Sequence, residues 1–97
     1  MDPEDLETVT ITYEADGDSE ELTVPLGLID LLREEGETTA EVVSEVSLFA
    51  FAQHIHGALH HSQDEPTEKL EAVEQATMDL FEERFGATYG ELTGHSH

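Results

Sequence analysis

The hydrophobic period changes along this chain, from two residues to about 3.6, and that change limits the folds available to it. Residues 7 to 13 read Glu-Thr-Val-Thr-Ile-Thr-Tyr, with Val9, Ile11 and Tyr13 on one face and Thr8, Thr10 and Thr12 on the other. Such alternation marks a half-buried strand. Asp16-Gly17-Asp18 supplies turn chemistry, and Leu22 with Val24 resumes the alternation, so residues 6–25 are expected to form a β-hairpin. Pro25 removes a ladder donor and stops the second strand.

From residue 27 onward the pattern is helical. A short helix is expected over 27–35, ending at Gly36, and Thr38 with Glu41 has the spacing of a capping box that opens a central helix over 39–62. On that helix Val42, Val43, Val46, Phe49 and Ala50 share one side, whereas Leu48, Phe51, Ile55 and Leu59 lie nearly opposite. Two surfaces should therefore cover it. After the polar stretch Ser62 to Pro66, a last helix over 66–85 carries a stripe of Leu70, Val73, Thr77, Leu80, Phe81 and Phe85, and Gly86 ends it. Residues 87–97 should form a docked turn and a tail.

The expected fold is thus α+β, one domain over 1–97, with an N-terminal hairpin followed by one short and two long helices. A lone hairpin is marginal in water, and pairing hairpins across a two-fold axis would cover it, so a homodimer is expected. Val42, Val46, Phe49, Phe51 and Leu59 are the candidate interaction surface.

Charge narrows the setting. The chain has 24 acidic residues against three basic ones, Arg33, Lys69 and Arg84, for a net charge of -21, and it has no cysteine. Self-repulsion on that scale strains a compact state in dilute salt, but at about 1 M salt the screening length falls to roughly 3 Å. The near-loss of lysine points to a salt-adapted cytoplasmic protein. No apolar run is long enough to span a bilayer, and the acidic start Met1-Asp2-Pro3-Glu4-Asp5 is unlike a signal peptide. No basic patch can be assembled, which disfavours nucleic acid as a partner. With so few cations, Arg33 and Arg84 are each expected to hold a structural ion pair.

Four of six histidines fall in eight residues, His54-Ile55-His56-Gly57-Ala58-Leu59-His60-His61, and His95 and His97 end the sequence. Four residues apart on a helix, His56 and His60 can reach one ion. His54 and His61 are seven apart, roughly 10 Å along the axis, and with His95 and His97 are weaker candidates. Zinc, nickel or copper would suit these imidazoles, although the fold requires no cofactor. The competing reading is that the histidines merely flank the apolar faces of a half-buried helix. Gly57 stands where a zinc-protease signature needs Glu, and no nucleophile elbow or phosphate-cradling glycine pattern is present, so enzymatic activity is not expected.

The acid-rich helix faces, the scarcity of lysine and the segment Phe81-Glu82-Glu83-Arg84-Phe85-Gly86-Ala87-Thr88-Tyr89-Gly90-Glu91-Leu92-Thr93-Gly94 resemble small acidic haloarchaeal proteins classed as domains of unknown function. That resemblance implies a host and carries no activity. The function expected is a non-enzymatic interaction or regulatory module acting as a homodimer, with a histidine-based metal-binding protein as the alternative.

Overall fold

The computed structural model describes residues 2–60 and 67–94. A single 3-10 turn, Pro3–Asp5, leads into strands β1 (Thr8–Ala15) and β2 (Asp18–Pro25), followed by helices α1 (Leu26–Leu32), α2 (Thr39–His60), α3 (Glu68–Phe85) and α4 (Tyr89–Thr93). The fold is α+β, a hairpin followed by helices. The chain forms two compact units, Met1–Val43 and Ser44–His97.

In the first unit the strands are antiparallel, with Val9 opposite Val24, Ile11 opposite Leu22 and Tyr13 opposite Glu20. Ala15 faces Asp18 across the turn, so Asp16 and Gly17 alone make the connection. Both have positive φ, 53° and 86°, the combination a type I′ hairpin turn requires and the reason glycine occupies the second position. On the opposite face the hydroxyls of Thr10 and Thr23 are hydrogen-bonded at 3.0 Å.

Pro25 caps α1, and the Leu26 amide donates to the Glu7 carbonyl at 2.8 Å, which ties the start of the helix to the start of the hairpin. Ile29 is buried, whereas Leu31 is 81% exposed, and Leu28 and Leu32 are also exposed. The helix stops at Leu32 instead of continuing to 35. Arg33 leaves it in an extended conformation, and its guanidinium donates to the Glu37 carbonyl at 2.6 Å, the Thr39 hydroxyl at 3.3 Å and Asp30 Oδ1 at 3.3 Å. These bonds fasten the end of α1 to the start of α2. There the Glu41 amide donates to Thr38 Oγ1 and the Thr38 amide donates to Glu41 Oε1, both at 3.1 Å, forming the reciprocal capping box.

The second unit is built around aromatic rings. Ala52, Phe81 and Tyr89 are buried, and Leu48, Phe49, Met78 and Phe85 pack against them. Phe81 lies 4.4 Å from Phe85, 5.7 Å from Phe49 and 5.6 Å from Tyr89, ring centre to ring centre, within the range in which aromatic pairs attract. Thr67 caps α3 by accepting from the Leu70 amide, and Gly86, at φ 72°, ends it. Residues 89–93, expected as a docked turn, form the short helix α4 under a second capping box, Thr88 with Glu91. That box fixes Tyr89 in the aromatic core.

The buried line of α3 differs from the expected stripe. Of the expected stripe Phe81 is fully buried, Leu70, Thr77 and Phe85 are half-buried, and Val73 and Leu80 are exposed, while Glu74 and Met78 are half-buried beside them. The steps from 70 to 74, 78, 81 and 85 trace one helix face. Met78, a flexible thioether, fills the place beside Phe81 that Leu80 was expected to take.

A candidate metal centre between two helices

On α2 the buried line of this unit follows Phe49, Ala52 and His56, at spacings of three and four. His56 thus takes a core position, with only 7% of its surface exposed. Its ring centre lies 5.4 Å from that of Tyr89 and 4.8 Å from that of His60, one turn further along. His60 is at the rim, where its Nε2 pairs with Glu74 Oε2 of α3 at 2.7 Å. The Glu74 side chain is 20% exposed.

One ligand atom from each of His56, His60 and Glu74 lies within 4.8 Å of the other two. Two imidazole nitrogens and a carboxylate oxygen form a donor set that suits zinc, nickel and copper. Bonds of about 2.0–2.1 Å in a tetrahedron put donors roughly 3.3–3.4 Å apart, so a pair at the 4.8 Å limit needs a contraction of about 1.4 Å to close on an ion. The His60–Glu74 hydrogen bond already holds two of the donors closer than that. A metal held by these residues would displace a proton from that pair, which would couple binding to proton release.

The other sequence candidates are placed as follows. His54 is exposed, about half a turn around α2 from His56. His61, His95 and His97 lie outside the described residues. Of the candidate interaction surface, Val42 is buried, Phe49 and Leu59 are half-buried, and Val46 and Phe51 are exposed, Phe51 by 63%. Arg33 pairs with Asp30 as described, and Arg84 Nε lies 3.9 Å from Glu45 Oε1. Arg84 also lines an open groove with Leu48, Leu80 and Glu83.

Glu74 was not among the candidates. Its signal is positional: it stands four residues after Leu70 and four before Met78, a single carboxylate in an otherwise apolar line. Away from the centre, the Glu91 carboxyl is held below the usual carboxylate range, first by the Thr88 backbone amide and then by the Thr88 hydroxyl, both of which donate to it. Among the described residues, no helix is long and apolar enough to cross a membrane.

No curated protein and no solved structure matches this sequence. A family model does, and its match extends over residues 1–97. The chain belongs to the family of unknown function DUF7545.

Proposed function

We propose that this protein is a non-enzymatic module that binds a divalent transition metal, zinc, nickel or copper, through His56, His60 and Glu74. The observation that carries the reading is the convergence of these three side chains from two helices, with ligand atoms within 4.8 Å of one another. Burial adds support. A polar ring in the line of Phe49 and Ala52 gives up apolar packing that an aliphatic side chain would supply, and sites of that kind are retained where the polar group has a task. The ion would link the last turn of α2 to α3 and leave a fourth position open to water or to a ligand from another molecule.

Calorimetric titration of metal-free protein with each of the three ions, in about 2 M KCl so that loose carboxylate binding is screened, tests the reading. Wild type is expected to take up one equivalent. The double variant His56→Ala, His60→Ala is expected to lose that binding, while His54→Ala keeps it. Equal binding by wild type and the double variant would overturn the assignment.

A further inference from the structure

The hairpin has two outer edges, and they differ in charge. Among the described residues the sheet contains only β1 and β2, so neither outer edge pairs with another strand. Strand β2 carries Asp18, Glu20 and Glu21 and ends in Pro25, the features that keep an edge from pairing. Strand β1 has no charged side chain from Thr8 to Tyr13, although one residue in four of the chain is acidic. Its inner face is incompletely covered: Tyr13 and Leu22 are 39% and 47% exposed, and Val9, Ile11 and Val24 are half-buried. A six-residue, charge-free, apolar-faced stretch of edge is a template for a further strand.

We infer that β1 pairs antiparallel with β1 of a second copy of this chain, giving a four-stranded sheet in the order β2-β1-β1-β2. The self-complementary sequence of the edge selects the occupant, and charge limits where two copies can meet. Two copies of a chain carrying -21 repel each other over most of their surfaces, and the β1 edge lets their backbones meet without opposing carboxylates. Two-fold symmetry then limits the register. Paired positions must sum to a constant, and the sum must be even if the apolar faces are to stay on the same side. A sum of 22 places Ile11 against itself, Val9 against Tyr13 and Thr10 against Thr12, so the charge-free residues 9–13 meet only each other. Aromatic with β-branched and Thr with Thr are favourable cross-strand pairs. The apolar faces of two marginal hairpins join into one, and the self-repulsion of the rest makes the association depend on salt.

The test uses the full chain with chelator present, so that a shared metal plays no part. Sedimentation equilibrium at tens of micromolar is expected to show a dimer in about 2 M KCl and dissociation toward monomer in about 0.1 M KCl. Directly opposed residues lie about 4.5–5.5 Å apart at Cα, within disulfide range, and the chain has no cysteine of its own. Ile11→Cys should therefore oxidise to a covalent dimer, and the exposed Leu31→Cys should not. A monomeric wild type in high salt, or equal cross-linking at 11 and 31, would each overturn the pairing.

Discussion

Replacing His56 with leucine separates a histidine kept for a ligand from one kept for packing. The imidazole is 7% exposed, between the rings of His60 and Tyr89. Leucine is similar in volume, so the exchange leaves no large cavity. Fully burying a leucine is worth about 1.5–3 kcal/mol relative to leaving it exposed, and the imidazole already obtains part of that from its carbon atoms. Removing the polar interactions of the ring costs about 0.5–1.5 kcal/mol. In chelator the variant should therefore be more stable than wild type by about 1 kcal/mol, a rise of roughly 4–8 °C in melting temperature for a domain of this size. Metal reverses the order. An ion at about 100 times its dissociation constant stabilises the wild type by about 2.7 kcal/mol and leaves a variant that cannot bind it unchanged. Wild type should then exceed the variant by roughly 1.7 kcal/mol, the difference between those two effects. Thermal unfolding followed by circular dichroism, with chelator and with zinc, reads all four states. A variant that loses more than about 2 kcal/mol in chelator would refute the reasoning, because His56 would then be a packing residue whose bonds outweigh its cost. Equal stabilisation of both proteins by zinc would refute it independently.

Two further outcomes follow from the aromatic core and the α4 cap. Phe81→Ala removes a fully buried ring that meets Phe49, Phe85 and Tyr89, and it should cost about 3–5 kcal/mol in urea unfolding, a large share of a total near 5–15 kcal/mol. A loss below about 1 kcal/mol would mean that the rings do not pack as described. Thr88→Ala removes the α4 cap, at about 1 kcal/mol. Because hydrogen bonds from Thr88 hold the Glu91 carboxyl below its ordinary value of 4.5, their stabilisation is complete above that pH and is lost as pH falls through the lowered folded value. The variant loses the hydroxyl and keeps the backbone amide, the larger cause, so carboxyl titration by NMR should show Glu91 moving part of the way back toward 4.5, and an unchanged titration would mean that the hydroxyl takes no part in holding the carboxyl.

The parts of the fold legible in the sequence were those set by local chemistry. Alternation at 8–13, Asp16-Gly17 in the turn and the Thr38 and Glu41 capping box each need only neighbours within a few residues, and each takes the expected form. The end of α1 was less legible because it depends on Arg33 finding the Glu37 carbonyl and Thr39, beyond the helix itself. The buried line of α3 was legible at Leu70, Thr77, Phe81 and Phe85 and misplaced at Val73 and Leu80, because Leu80 and Met78 lie on either side of Phe81 and periodicity alone favours the more hydrophobic leucine. Phe49, Phe85 and Tyr89 around Phe81 decide that choice, and they come from three helices. In the candidate site, His56 and His60 stood out by residue type and spacing. Glu74 was hidden among 24 acids, since in such a chain the presence of a carboxylate says little and its position says more.

Position also distinguishes two carboxylates that look alike. Glu45 and Glu74 are both largely covered, with side chains 27% and 20% exposed, and each faces a nitrogen base. Glu45 faces Arg84, whose guanidinium has no lone pair to offer, so Arg84 cannot join it as a metal ligand. Glu74 faces His60, whose imidazole is a donor or an acceptor according to its proton, with His56 one turn away on the same face of α2. Exchange of a proton of that pair for a metal would replace the hydrogen bond by two coordinate bonds. Acidic residues are spread along the whole chain, but a carboxylate set in an apolar line opposite two imidazoles is a particular arrangement, and the proposed metal binding rests on it.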